Sequence, residues 1–156
     1  MACRDTTARA IGARPLAPET GPMIKFLHVM IRVADLARSI DFYGSAFAMR
    51  ESHRLAFPTF TLVYLRDAIS GVELELTLNH GGKYDSEPYT HGTGYGHVAF
   101  AVDELDACHA RLDALDLAPG PIKTLERDGR AAARFFFISD PDGYKIEVLA
   151  SRGHYV

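Results

Sequence analysis

Apolar and polar residues alternate along "LHVMIRV", with Leu27, Val29, Ile31 and Val33 on one side and His28, Met30 and Arg32 on the other. A period of two predicts a half-buried strand. "LARSIDFYGSAF", Leu36 to Phe47, instead repeats its apolar residues at intervals of three and four, which predicts a helix. Asp35, just before it, is placed to accept from the free N–H groups of the first turn. The runs "FTLVYL" and "GVELELTLN" return to strand patterning. In the second of them Leu74, Leu76 and Leu78 share a face, leaving Glu73, Glu75, Thr77 and Asn79 opposite.

The pattern then repeats. "HVAFAVDEL" follows "HVMIRVADL" at an offset of 69 residues, with His, Val, Val and Leu in register. A helical stretch comes next, "LDACHARLDAL", with Asp103 near its start as a second capping acid. The strand-like runs "AARFFFIS" and "YKIEVLA" complete the half, the latter introduced by the turn "SDPDG". Each half reads strand, helix, then two or three strands, an α+β arrangement. Each is too small to bury its own core well, so the two are expected to pack as a pseudo-two-fold pair in one domain, a curved sheet with a polar inner face.

Residues 1–22 break the pattern, being rich in Ala, Arg, Thr and Pro without periodicity. They read as a flexible extension with no apolar secretory core. The whole chain has 156 residues, 47% of them hydrophobic and 24% charged, which suits a globular domain. A net charge of -3 argues against nucleic acid or an anionic membrane as partner and favours a small molecule. No apolar run approaches the roughly 18 residues of a spanning helix, and the chain is expected to be soluble. Cys3 and Cys108 lie far apart with no metal-binding spacing, which fits a reducing cytoplasm.

Candidate chemistry follows from alternation and repeat together. The glycine-rich "GTGYGHVAFAV" puts His97 where a strand leaves a tight loop, on the same side as Ala99 and Ala101. In the last strand-like run Tyr144, Ile146 and Val148 oppose Lys145, Glu147 and Leu149. Each half therefore offers one His at the start of its first strand and one Glu on its last, separated by 47 residues from His28 to Glu75 and by 50 from His97 to Glu147. Solvation alone does not duplicate such a pair at equivalent places. Two imidazoles and two carboxylates suit a six-coordinate divalent transition metal with positions left for water or substrate.

"FLHVMIRVADLARSIDFY", "ELELTLNHG", "YGHVAFAVDEL" and "DPDGYKIEVL" together resemble glyoxalase I, lactoylglutathione lyase, of the vicinal oxygen chelate superfamily, over about residues 24 to 150. The resemblance implies two βαβββ modules, about 24–80 and 94–150, within a domain spanning 23–156, and a homodimer with metal sites between chains. It matches His28, Glu75, His97 and Glu147 to the metal ligands. A histidine at the first of these positions resembles the nickel- or cobalt-activated bacterial subclass, with zinc as the alternative ion. The implied reaction converts the hemithioacetal of glutathione and methylglyoxal into S-lactoylglutathione. Glu147 and Glu75 are the implied catalytic carboxylates, Glu147 moving the proton from C1 to C2 while the metal spreads the enediolate charge. Arg32 and Asn79 match glutathione-holding positions, His97 also faces the substrate, and Lys123, with Arg127 and Arg130 in the arginine-rich loop, is a candidate carboxylate clamp. "FAM", Phe47 to Met49, departs from the pattern by carrying alanine where a glycine commonly ends the helix.

Other chemistries share this scaffold. A ring-cleaving dioxygenase or a thiol transferase would be expected to use a three-ligand site without Glu75, and an acyl-CoA epimerase would use similar enolisation. A non-catalytic drug-binding protein would keep the cup without the metal.

Overall fold

The structure is a computed structural model that describes residues 24–81 and 88–152. The proposed extension at 1–22 lies outside the described residues. The element order is β1 (His28–Arg32), α1 (Leu36–Phe47), β2 (Arg50–Ala56), β3 (Phe60–Arg66), β4 (Glu73–Asn79), β5 (Val98–Val102), α2 (Leu105–Ala114), β6 (Lys123–Arg127), β7 (Arg130–Ser139) and β8 (Lys145–Ala150). This is βαβββ twice, as the resemblance implies. Each module forms its own four-stranded sheet, ordered β1-β4-β3-β2 and β5-β8-β7-β6. In both, the first strand pairs in parallel with the last, which the crossover helix makes possible.

Local chemistry explains the element ends. Asp35 caps α1, its carboxylate accepting from the Arg38 N–H at 3.0 Å. Asp103 does not do the same for α2: Glu104 occupies the N-cap without a side-chain bond, and Asp106 supplies the first-turn acid. Helix α1 ends at Ala48 in the left-handed region, φ 55°, so the alanine in "FAM" takes the conformation glycine would favour. The arginine-rich segment is a β-hairpin rather than a loop. Asp128 and Gly129 turn it with φ of 53° and 71°, the twist a two-residue hairpin needs.

The modules share one core, in which Val33, Val63, Leu65 and Leu76 of the first meet Leu112, Phe136, Ile146 and Val148 of the second. Helix α1 is the bridge. Phe47 stacks on Phe100 at 4.2 Å. Arg111 donates to the Ser45 and Ala46 carbonyls at 2.9 and 2.6 Å, satisfying the open end of α1. Tyr43 donates to Asp140 at 2.9 Å, and Asp142 accepts from the Ala34 N–H at 3.1 Å. The apolar face of β1 is only half covered: Ile31 and Val33 are buried, whereas Leu27 and Val29 are exposed.

Candidate metal centre

Strand register sets the site. Glu75 on β4 lies opposite Met30 of β1 and Tyr64 of β3, and His28 is two residues before Met30 on the same face. Glu147 on β8 lies opposite Ala99 of β5 and Phe137 of β7, and His97 is two residues before Ala99. His97 itself immediately precedes β5. The result is the same pair twice. His28 Nε2 stands 3.2 Å from Glu75 Oε2, and His97 Nε2 stands 3.0 Å from Glu147 Oε2. Both imidazoles are over a third exposed, at 37% and 40%, while the carboxylates are at 11% and 15%. The carboxylates are thus held in the sheet and the rings lie at its open surface.

Glu73 has a different part from Glu75. Ser52 donates to it at 2.6 Å and Arg66 at 2.9 Å, and these bonds, the serine's first, hold its carboxyl below the usual range. Glu75 instead accepts from the Thr77 hydroxyl at 3.1 Å, and Tyr64 lies opposite it on β3. Burial first, and then the neighbouring Glu75 carboxylate, push the Tyr64 phenol above its ordinary range.

The structure brings the four predicted ligands together as two pairs, one per sheet. Among the described residues no group of three or more metal-ligating side chains gathers within one chain. The pseudo-two-fold packing therefore does not itself assemble the quartet, because α1 joins the two sheets through their core side and leaves each His–Glu face open. A cavity of about 590 Å³ between the modules is lined by Val29, Phe47, Leu74, Phe100 and Val102, and none of the four ligands belongs to it.

The remaining candidates sort by face. Arg32 lies opposite Thr77, and Asn79 follows Thr77 by two residues, so both extend the face that carries His28 and Glu75. Lys123 on β6 lies opposite Phe135, two residues from Phe137 on the Glu147 face. Among the described residues Arg127 pairs with the neighbouring turn residue Asp128, at 3.6 Å. Arg134, in contrast, makes two bonds to Asp106 at 3.0 and 3.1 Å and anchors the hairpin to α2. Alternation places Thr77 on the polar face with Glu75, but neither it nor Tyr64 nor Phe137 is a site candidate from the sequence alone. Their alternation within "FTLVYL", "LELTLN" and "RFFFIS" was the available signal, but an aromatic on a strand reads first as core.

Residues 25–148 match the family model described as Glyoxalase/Bleomycin resistance protein/Dioxygenase superfamily. The chain is 36% identical over 137 residues to lactoylglutathione lyase of Haemophilus influenzae, covering 83% of this chain and 94% of that one. It is 35% identical over 147 residues to lactoylglutathione lyase of Pseudomonas aeruginosa, covering 80% and 81%. Among solved structures, the trypanothione-dependent glyoxalase I of Leishmania major superposes with a TM-score of 0.64 at 36% identity, covering 82% of this chain and 87% of that one.

Proposed function

Since the chain belongs to the Glyoxalase/Bleomycin resistance protein/Dioxygenase superfamily, we propose that it is a glyoxalase I, isomerising the glutathione–methylglyoxal hemithioacetal to S-lactoylglutathione. The observation that carries this reading is the duplicated His–Glu pair, at corresponding register positions of both sheets, in a chain so similar to lactoylglutathione lyases. A three-ligand enzyme of the same scaffold has no need of Glu75 in that place.

The donor set fits a divalent transition metal: two imidazole nitrogens and two carboxylates, all at open sheet faces. His28, Glu75, His97 and Glu147 would hold it, with nickel or cobalt favoured and zinc the alternative. When bound, the metal supplies Lewis acidity that stabilises negative charge developing on the substrate oxygens. Glu147 takes the proton from C1 of the hemithioacetal and returns it to C2, while the C1 hydroxyl gives up its proton and the C2 oxygen gains one, so the thiohemiacetal carbon becomes the thioester carbonyl and C2 the carbinol. Arg32, Asn79 and Lys123 carry the polar contacts to glutathione, Arg32 and Lys123 by charge-assisted bonds to its carboxylates. Phe137, Ala99 and Ala101 form an apolar wall on the Glu147 side.

A second copy of the chain completes the site in this reading. The His28–Glu75 face of one protomer meets the His97–Glu147 face of its partner, and a two-fold dimer then has two equivalent centres. The uncovered Phe26 and Met30, which share the side of His28, support a partner there. The thiol of Cys108 is free, which fits a reducing cytoplasm as the working compartment.

The test is thioester formation by metal-stripped protein on preformed hemithioacetal, with Ni²⁺, Co²⁺ or Zn²⁺ restored in parallel. Turnover that returns with Ni²⁺ or Co²⁺ is expected. Stoichiometric metal binding with no turnover under any ion would reject the lyase and move the protein to an acyl-CoA epimerase or thiol transferase.

A further inference from the structure

The internal repeat supplies its own control, because each group around Glu75 has a counterpart around Glu147. Across the antiparallel pair, Tyr64 faces Glu75 where Phe137 faces Glu147. Two residues along the last strand, Thr77 follows Glu75 where Leu149 follows Glu147. The two aromatic rings do the same packing: Tyr64 meets His28 edge to face at 5.6 Å, and Phe137 meets His97 edge to face at 5.5 Å. The halves differ in hydroxyls. Thr77 donates to Glu75 Oε1 at 3.1 Å while His28 faces Oε2 at 3.2 Å, and Tyr64 brings a phenol to the cross-strand position beside the same carboxylate. Phe137 and Leu149 have nothing to donate to Glu147.

A carboxylate that carries a proton between two carbons has to shift its oxygens, and each hydrogen bond that pins it opposes the shift. One that only ligates gains from being pinned, since groups that orient a ligand tighten the metal it holds. We propose that Tyr64 and Thr77 are positioning residues that lock Glu75 as a stationary ligand, so that Glu147, with Phe137 and Leu149 at the matching positions, alone moves the proton. This inference rests on the metal-dependent isomerisation proposed above. It separates the duties of two carboxylates that the repeat otherwise makes equivalent.

The experiment titrates Co²⁺ into metal-stripped wild type, Tyr64→Phe, Thr77→Val, Thr77→Ser and Phe137→Tyr. It records Co²⁺ affinity, the visible Co²⁺ spectrum, and kcat and KM on the hemithioacetal. Tyr64→Phe and Thr77→Val are expected to weaken Co²⁺ binding by roughly tenfold each and to shift the spectrum, with far-ultraviolet circular dichroism unchanged. Thr77→Ser keeps the hydroxyl and is expected to retain wild-type affinity. Phe137→Tyr gives Glu147 the tether that Glu75 has, so kcat should fall while Co²⁺ affinity holds. Wild-type affinity and spectrum in a Tyr64→Phe/Thr77→Val double variant would overturn the positioning role, and undiminished kcat in Phe137→Tyr would overturn the exclusive role of Glu147. Wild type that binds Co²⁺ without turning over the hemithioacetal rejects the lyase reading and leaves the affinity comparison decisive for positioning. Wild type that binds no Co²⁺ rejects the metal centre and the positioning role together.

Discussion

Glu147 is the residue on which the proposed chemistry turns, and replacing it by Gln separates proton transfer from shape. Glu147→Gln is expected to lower kcat by about 10²- to 10⁴-fold, the usual worth of a positioned acid–base group, in the hemithioacetal assay at saturating metal. His97→Ala should instead lose metal content together with activity, which elemental analysis of the purified protein would detect. Both residues were legible in the sequence, because alternation assigns a face and the repeat supplies a matching partner. Tyr64 was not, since its hydroxyl matters only through the strand register that sets it opposite Glu75. Ala48 illustrates the reverse case. The departure from glycine was visible in "FAM", and the backbone there is left-handed at φ 55°. Ala48→Gly relieves that strain, and an increase in stability of about 1 kcal/mol is expected in urea unfolding.

At the scale of elements, the strongest local device is the turn between β7 and β8. Asp140 accepts from the Asp142 and Tyr144 N–H groups at 3.0 and 2.8 Å and from the Tyr43 hydroxyl at 2.9 Å, tying the turn to α1 of the other module. Burial pushes the Asp140 carboxyl up, and its hydrogen bonds, Tyr43's first, pull part of the way back. With its folded pKa above the unfolded one, Asp140 favours the fold fully at a pH below the unfolded value, and this contribution is lost as pH rises through the folded value. Tyr43→Phe removes one of the bonds holding the charged form and raises the folded value further. Its cost should be about 1.5 to 3 kcal/mol at neutral pH and shrink toward pH 4, as urea melts across that range would report. The sequence marked "SDPDG" as a turn but held no sign of Tyr43 as its partner, because 97 residues separate the two. The β6–β7 hairpin was missed for a related reason. "AARFFFIS" already reads as a strand, but β6 and the first residues of β7 are polar and alanine positions that alternate weakly, and only their pairing makes them a hairpin.

For the whole molecule, the decisive question is whether two open faces of different protomers join as one centre. If the halves of each site come from different protomers, His28→Ala and His97→Ala are each inactive alone but complementary when mixed. A heterodimer of the two joins one intact His28–Glu75 face to one intact His97–Glu147 face, so unfolding and refolding the mixture together should restore roughly a quarter of wild-type activity. A centre within one chain would restore none. The α+β class, the tandem modules and the four ligand candidates were all readable from periodicity and repetition, since which side of a strand a residue faces is a local property of the backbone. The assembly of those candidates was not readable. Distances across strands and between sheets depend on register, on α1 packing into the second module through Phe47 and Phe100, and on the separation of the two sheets. These are set by long-range packing of the shared core, so the chain's pattern names the candidate donors and the tertiary structure determines that each chain holds them as two His–Glu pairs.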